Sequence, residues 1–325
     1  MKTWKLCAIV GIFAMCAFGL VFMGCSDGGG GGGGEDSTPT AADFVIGNLS
    51  QVKESITAVT ITPKSGKSRG AISVYYDGSA TLPTKSGAYA VTFNVAAASG
   101  WKAANGLNAG TLIVNDIAVN STDVLSTYLS DQTANTADTP YYIALNIGDE
   151  NDFTNLRTTL NNEADKYVYL DLSGSTITTI PENTFSGTSS PYGCATLIGI
   201  TIPNNVISIG DFAFMDCTSL TSVIIPNSVT SIGAGTFYGC TNLTKVTIPN
   251  SITSIGQNVF YACTNLASVT FEGTIPSSDF STDSNSPFFG DLRDKFYATD
   301  PTNGTPGTYT TTAPVGESSV WIKQP

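Results

Sequence analysis

The chain contains no histidine. Without an imidazole, neither Ser-His-Asp nor Cys-His nucleophilic catalysis has its base. Histidine-containing zinc sites are excluded with it. Charge is also scarce. Only 12% of the 325 residues are charged, with 14 Lys plus Arg against 26 Asp plus Glu and a net charge of −12. Nucleic-acid backbones are bound by clustered Lys and Arg, so no nucleic-acid partner is expected. No G-x-S-x-G elbow, phosphate loop or dinucleotide fingerprint occurs. The acidic stretches 149–152 and 279–283 lack calcium-loop spacing. Glycosidases need only two acids, yet Asp171, Glu182, Asp211, Asp216 and Glu272 show no repeated pairing. The expectation is no enzyme, no cofactor and no metal. What is abundant is threonine: 44 residues, more than all charged residues together. With 41% hydrophobic and 10% aromatic residues, the chain is too apolar for disorder.

Residues 1–24 carry Lys2 and Lys5 and then an uncharged apolar run from Leu6 to Gly24. A basic start and an apolar run form an export signal, and the run is nearly long enough to span a bilayer as a helix. Met23-Gly24-Cys25 follows, then Ser26, Asp27 and seven glycines, Gly28 to Gly34. A small residue before a cysteine resembles a bacterial lipoprotein signal, which implies lipidation at Cys25. The usual Leu and Ala or Ser are here Phe22 and Met23. The glycine run cannot build a core and reads as a flexible tether, assigned to 25–42.

Residues 43–115 alternate apolar and polar side chains over short stretches such as ISVYY and YAVTFNV, with turns at Asp77-Gly78 and Ser86-Gly87. The order Tyr75-Tyr76-Asp77-Gly78, Pro83, Gly87-Ala88-Tyr89-Ala90-Val91-Thr92 resembles bacterial immunoglobulin-like, mucin-binding-type modules. It implies a small β-sandwich. Residues 116–166 read as a connector and cap. Val124, Leu125, Tyr128 and Leu129 fall at helical spacing, as do Phe153, Leu156, Leu160 and Ala164, and a strand lies between.

From 167 to 273 the chain repeats. Leu197, Leu220, Leu243 and Leu266 are 23 residues apart. The pattern is L-x-x-[IV]-x-I-P-N-[NS]-[VI]-x-S-I-G-x-x-x-F-x-x-C-T-[SN], preceded by a degenerate 30-residue unit from Tyr167 to Thr196. In the second full unit Val223 and Ile225 point inward from a short strand. Pro226-Asn227 turns the chain. Gly233 supplies a residue that tolerates positive φ, and Phe237 and Cys240 fill the coil. One such unit cannot bury enough apolar surface alone, so units stack. Phe185, Phe214, Phe237 and Phe260 should then form one spine. The repeat resembles the BspA-like (treponemal-type) leucine-rich repeats of bacterial surface proteins. The resemblance implies a mainly β solenoid with a parallel sheet on one face. It further implies cell-surface localisation, and adhesion to a protein or glycan, host matrix proteins included. Residues 274–325 read as a C-terminal cap and tail.

Stacking also sorts the candidate sites. Cys194, Cys217, Cys240 and Cys263 form a column. Coil spacing admits disulfides by distance, but side chains in one column project in parallel, which favours free buried thiols. On the outward strand face, Tyr169, Gly199, Ser222, Lys245 and Ser268 form one column, and Asp171, Thr201, Ile224, Thr247 and Thr270 the next. That face is the candidate binding surface, with Tyr169 and Ile224 as exposed apolar anchors. Its bland alternative is a solvated Thr/Ser surface without a partner. Two functions follow: a lipoprotein anchored to the outer membrane and displayed for contact, or a scaffold of the periplasm or envelope.

Overall fold

The computed structural model describes residues 36–186, 194–280 and 290–325. The expected signal, Cys25 and the glycine run lie outside the described residues. The chain divides into two compact units, and the mainly β class expected from the sequence is what it adopts.

The first unit holds the described residues up to Leu49 with Ala58–Leu82 and Ala90–Thr111. Ordered contacts reach back to Ser37, which bridges to Trp101, inside the stretch assigned to the tether. In chain order the strands up to residue 115 are β1 (Phe44–Gly47), β2 (Ser50–Val52), β3 (Thr60–Pro63), β4 (Ile72–Tyr76), β5 (Gly87–Val95) and β6 (Ala104–Asn115), of which β2, the start of β5 and the end of β6 belong to the second unit. β1 and β3 pair antiparallel, as do β4 and β5. Every second residue at the end of β5 is buried (Val91, Phe93, Val95), and Phe93 meets Phe44 edge-on at 5.0 Å, so the two sheets share one core. Asp77 and Gly78 both have positive φ, 48° and 81°, the geometry of a tight hairpin turn. Ser86-Gly87 is instead the entry to β5.

The second unit comprises Ser50–Thr57, Pro83–Tyr89 and Leu112–Pro325. Here β7 (Ile117–Val119), α1 (Thr122–Ser130), β8 (Tyr141–Leu145), α2 (Asp152–Asn162) and β9 (Val168–Asp171) precede the full repeats. Ser121 caps α1 by accepting from the Val124 amide. Leu125 and Leu129 of α1, with Phe153, Leu156 and Leu160 of α2, face the core as the spacing predicts, whereas Val124 and Ala164 of the same spacing are exposed. β7, β8 and β9 pair in parallel, so the sheet begins two strands before the repeats.

Each coil then contributes one strand to a short, unbroken parallel ladder and one to a longer strand face, which runs as two sheets, one ending at Ser222–Ile224 and the next beginning at Lys245–Ile248. Strand β10 (Thr179–Ile180) begins the short ladder, and β11 (Leu197–Thr201) extends the longer face. β12 (Ser208–Ile209), β13 (Ser222–Ile224), β14 (Ser231–Ile232), β15 (Lys245–Ile248), β16 (Ser254–Ile255) and β17 (Ser268–Phe271) continue them alternately. Registers advance by 23 residues, for example Gly199 to Ser222 and Ile232 to Ile255. The phenylalanine spine forms, with stacked rings at 5.0, 5.2 and 5.3 Å from Phe185 through Phe260. Phe153 of α2 meets its N-terminal end at 5.9 Å.

The Ser and Thr residues bind each coil to the one before. Thr221 Oγ1 donates to the Ile198 carbonyl (3.0 Å), Thr230 to Ile207 and Thr253 to Thr230 (each 3.2 Å), and Ser228 to Val206 (2.6 Å). At these positions the Thr hydroxyl adds a second hydrogen bond to a carbonyl that already accepts the same residue's N–H.

The I-G glycine works differently from expectation. Gly233 does not adopt positive φ. A Cβ there would sit 2.6 Å from the Asp211 amide nitrogen and 2.7 Å from the Gly210 carbonyl carbon. Gly210 and Gly256 face the preceding backbone as closely. The residue is glycine because successive coils touch there. The left-handed positions fall two and six residues later, in columns of mixed identity: Phe212, Gly235 and Asn258 (φ 54–57°), and Asp216, Gly239 and Ala262 (φ 57–71°).

After β17 the parallel run stops. α3 (Leu292–Tyr297) is followed by β18 (Gly307–Thr310), which pairs antiparallel with β17, and by β19 (Ile322–Lys323). Phe271, Phe280, Phe296, Tyr309 and Trp321 are buried together beneath this cap. Among the described residues, no helix is long and apolar enough to cross a membrane.

Candidate functional site

Inward and outward residues alternate along the longer strand face. In β15, Val246 and Ile248 are buried while Lys245 and Thr247 are exposed, and β17 repeats the pattern with Val269 and Phe271 inside. The two outward columns have the expected register within each sheet (Tyr169–Gly199–Ser222 and Lys245–Ser268, Asp171–Thr201–Ile224 and Thr247–Thr270), but no strand pairing joins Ser222 to Lys245 or Ile224 to Thr247. Thr201, Ser222, Ile224, Ser268 and Thr270 are half-buried. Lys245 is the exposed charge among them.

The N-terminal end of the face departs from expectation. Tyr169 and Asp171 are not exposed anchors, being only 3% and 1% accessible. The Tyr169 ring stacks on Tyr142 (5.0 Å, 19°) and lies flat over Gly199, where a Cβ would stand 2.5 Å from it. Its hydroxyl shares a 3.0 Å hydrogen bond with Thr201, and burial pushes the phenol's pKa up. Asp171 is covered by the chain's own earlier segment. Its Oδ2 accepts from Ser50 Oγ and from Asn115 Nδ2 (3.2 Å), and its Oδ1 from the Ser173 amide (3.0 Å). Strand β2 lies alongside, pairing in parallel with Ile113–Asn115. The open face therefore begins at Thr201 and Ser222.

Beside Asp171 is a cleft of about 310 Å³. Ala118 and Ala144 occupy the outward positions in register with Asp171, and their small side chains leave the recess. Ser50, Asn115, Asn146 and Ser173 complete its polar lining. Ser50 and Asn115 carry no motif, and the plainest trace of the cleft in the sequence is alanine at two successive outward strand positions.

The repeat cysteines are free and buried. The thiols of Cys217, Cys240 and Cys263 lie 3.7, 3.2 and 3.0 Å from the carbonyl oxygens of Phe185, Phe214 and Phe237. Burial pushes Cys194 and Cys263 up to about 12, and Cys217 and Cys240 well above the ordinary thiol value. Such thiols are filling, not nucleophiles. Among the described residues, no three His, Cys, Asp or Glu side chains gather to hold a metal ion.

Residues 187–286 match the model of the BspA type leucine rich repeat region, in six copies. The chain is similar to two solved structures. One is a leucine rich repeat protein of T. pallidum, at 25% identity over 32% of this chain and 58% of that one, with a TM-score of 0.26. The other is a leucine rich cell surface protein of Faecalibacterium prausnitzii A2-165, at 21% identity over 55% of this chain and 49% of that one, with a TM-score of 0.31. The chain spans about half the length of these proteins. No curated protein matches it.

Proposed function

We propose that this chain, built around a BspA-type leucine-rich repeat region, works by contact. It is displayed on a bacterial surface, held by lipid on Cys25 and the glycine run, and binds a protein or glycan partner through the open part of its strand face. The observation that carries this reading is the outward strip of Ser222, Ile224, Lys245, Thr247, Ser268 and Thr270, exposed at Lys245 and Thr247 and half-buried elsewhere, on strands whose inward residues Val246 and Val269 are buried. Exposed side chains on a stiff stacked scaffold form a binding surface that loses little ordering entropy on contact. The match to BspA-type repeats and the basic, then apolar, start of the chain support display.

Protease applied to intact cells tests it, with and without Cys25→Ala. The expected result is cleavage of the cell-bound chain, and release of the Cys25→Ala chain into the medium. A chain protected until the outer membrane is permeabilised would instead make it a scaffold of the periplasm.

A further inference from the structure

Asp171 is a carboxylate buried to 1% exposure whose partners are all neutral: a hydroxyl, an amide side chain and a backbone N–H. Among the described residues, no Lys or Arg lines its cleft. Asn115, fully buried in the same lining, directs its Nδ2 to Asp171, Ser50 and the Gln51 carbonyl. That leaves Oδ1 without a hydrogen-bond partner among the described residues. Turning the amide over would set its oxygen against the carboxylate, so the hydrogen-bond network holds the orientation. Buried polar groups without partners are rare and costly, and buried charge without counter-charge more so. A buried carboxylate without counter-charge and a buried amide with an unpartnered oxygen thus lie in the wall of a recess opened by Ala118 and Ala144 and edged by exposed Asn146 and Ser173.

We infer that this cleft receives a basic side chain, a guanidinium or ammonium, from a protein partner. An amide oxygen without a donor calls for one, and a buried carboxylate held only by neutral donors calls for a positive one. A hard metal ion would want several oxyanions, and the cleft offers one carboxylate in about 310 Å³. That volume suits a long side chain better than a bare ion. The net charge of −12 draws basic partners toward the whole chain. The inference concerns the N-terminal end of the strand face and does not depend on what meets Ser222 to Thr270.

The test is calorimetric titration of the full chain with N-acetyl-arginine methylamide at low salt, beside calcium chloride and a methyl glycoside. Roughly millimolar binding of the arginine probe is expected, weakened at least fivefold by Asp171→Asn and by Ala144→Leu and unchanged by Thr270→Ala. Ala144→Leu fills the recess without removing any polar group, so it decides the matter if Asp171→Asn fails to fold. Absence of arginine binding, binding indifferent to Ala144→Leu, or preference for calcium or the glycoside would overturn the inference. Because the probe is a small molecule, failure here leaves surface display and the strand face untouched.

Discussion

At the residue scale, the chain uses its few charges for local order. Asp43 shows how. Lys67 Nζ approaches its Oδ1 at 2.7 Å, and the Thr40 amide and hydroxyl donate to its Oδ2 at 2.8 and 3.1 Å. The Lys67 hydrogen bond, then the Thr40 amide, lowers the Asp43 pKa from 3.8 to about 2. A carboxyl depressed in the folded state stabilises fully above its ordinary value. That contribution is lost as pH falls through the folded value. Acidification from pH 4 toward 2 should therefore loosen the first unit. Trp101, 5.9 Å from Lys67 Nζ, reports it by fluorescence. Asp43→Asn should lower stability at neutral pH and flatten the acid transition between pH 4 and 2. An unchanged transition would remove Asp43 as its source. Asp43 is also a residue whose role spacing alone does not announce, because Lys67 lies on a different part of the chain.

At the element scale, legibility tracks repetition. Phe237, Cys240 and Ile232 are readable because one role recurs every 23 residues with one residue type. The helical faces around Leu125 and Leu156 are readable because their burial period is local. Tyr169 reads as exposed and is buried because its cover comes from elsewhere: Tyr142 beside it, and a glycine thirty residues later that makes room for the ring. Asp171 escapes the sequence for the same reason, since Ser50 stands 121 residues away. The left-handed columns stay hidden because Phe212, Gly235 and Asn258 share a backbone state without sharing a side chain. The glycine of the I-G pair is visible in the repeat, but its cause is not. Gly233→Ala should cost about 1–3 kcal/mol, as overpacking against backbone that cannot yield. Phe237→Ala should cost about 3–5 kcal/mol by opening the spine. A Cβ at Gly316 would meet nothing within 4 Å, and this glycine has no positive φ, so Gly316→Ala should stay within about 0.5 kcal/mol. Urea titration of the three variants checks the order. A Gly233→Ala midpoint equal to that of Gly316→Ala would refute close coil approach.

At the scale of the whole molecule, the repeat thiols are sunk in the spine, and several Ser and Thr are bonded to neighbouring coils. The chain has a surface to offer. On the open strand face that surface is Ser222, Ile224, Lys245, Thr247, Ser268 and Thr270, a set with one charge and one sizeable apolar side chain. Contacts of this kind depend on close fit rather than on a single ion pair, since exposed pairs contribute little. Bulk in the middle of the strip should therefore be more damaging than loss of Lys245. We expect Thr247→Arg with Ser268→Arg to lower attachment of displaying cells at least tenfold, about 1.4 kcal/mol per contact. Lys245→Ala should lower it less. The same two-arginine change at exposed Thr253 and Gln257, beside the short ladder, adds equal charge where no contact is proposed. Cell retention on a surface that the unsubstituted chain supports, counted for all three variants, is the measurement. Equal losses from both arginine pairs would mean that added charge, not the strand face, governs attachment.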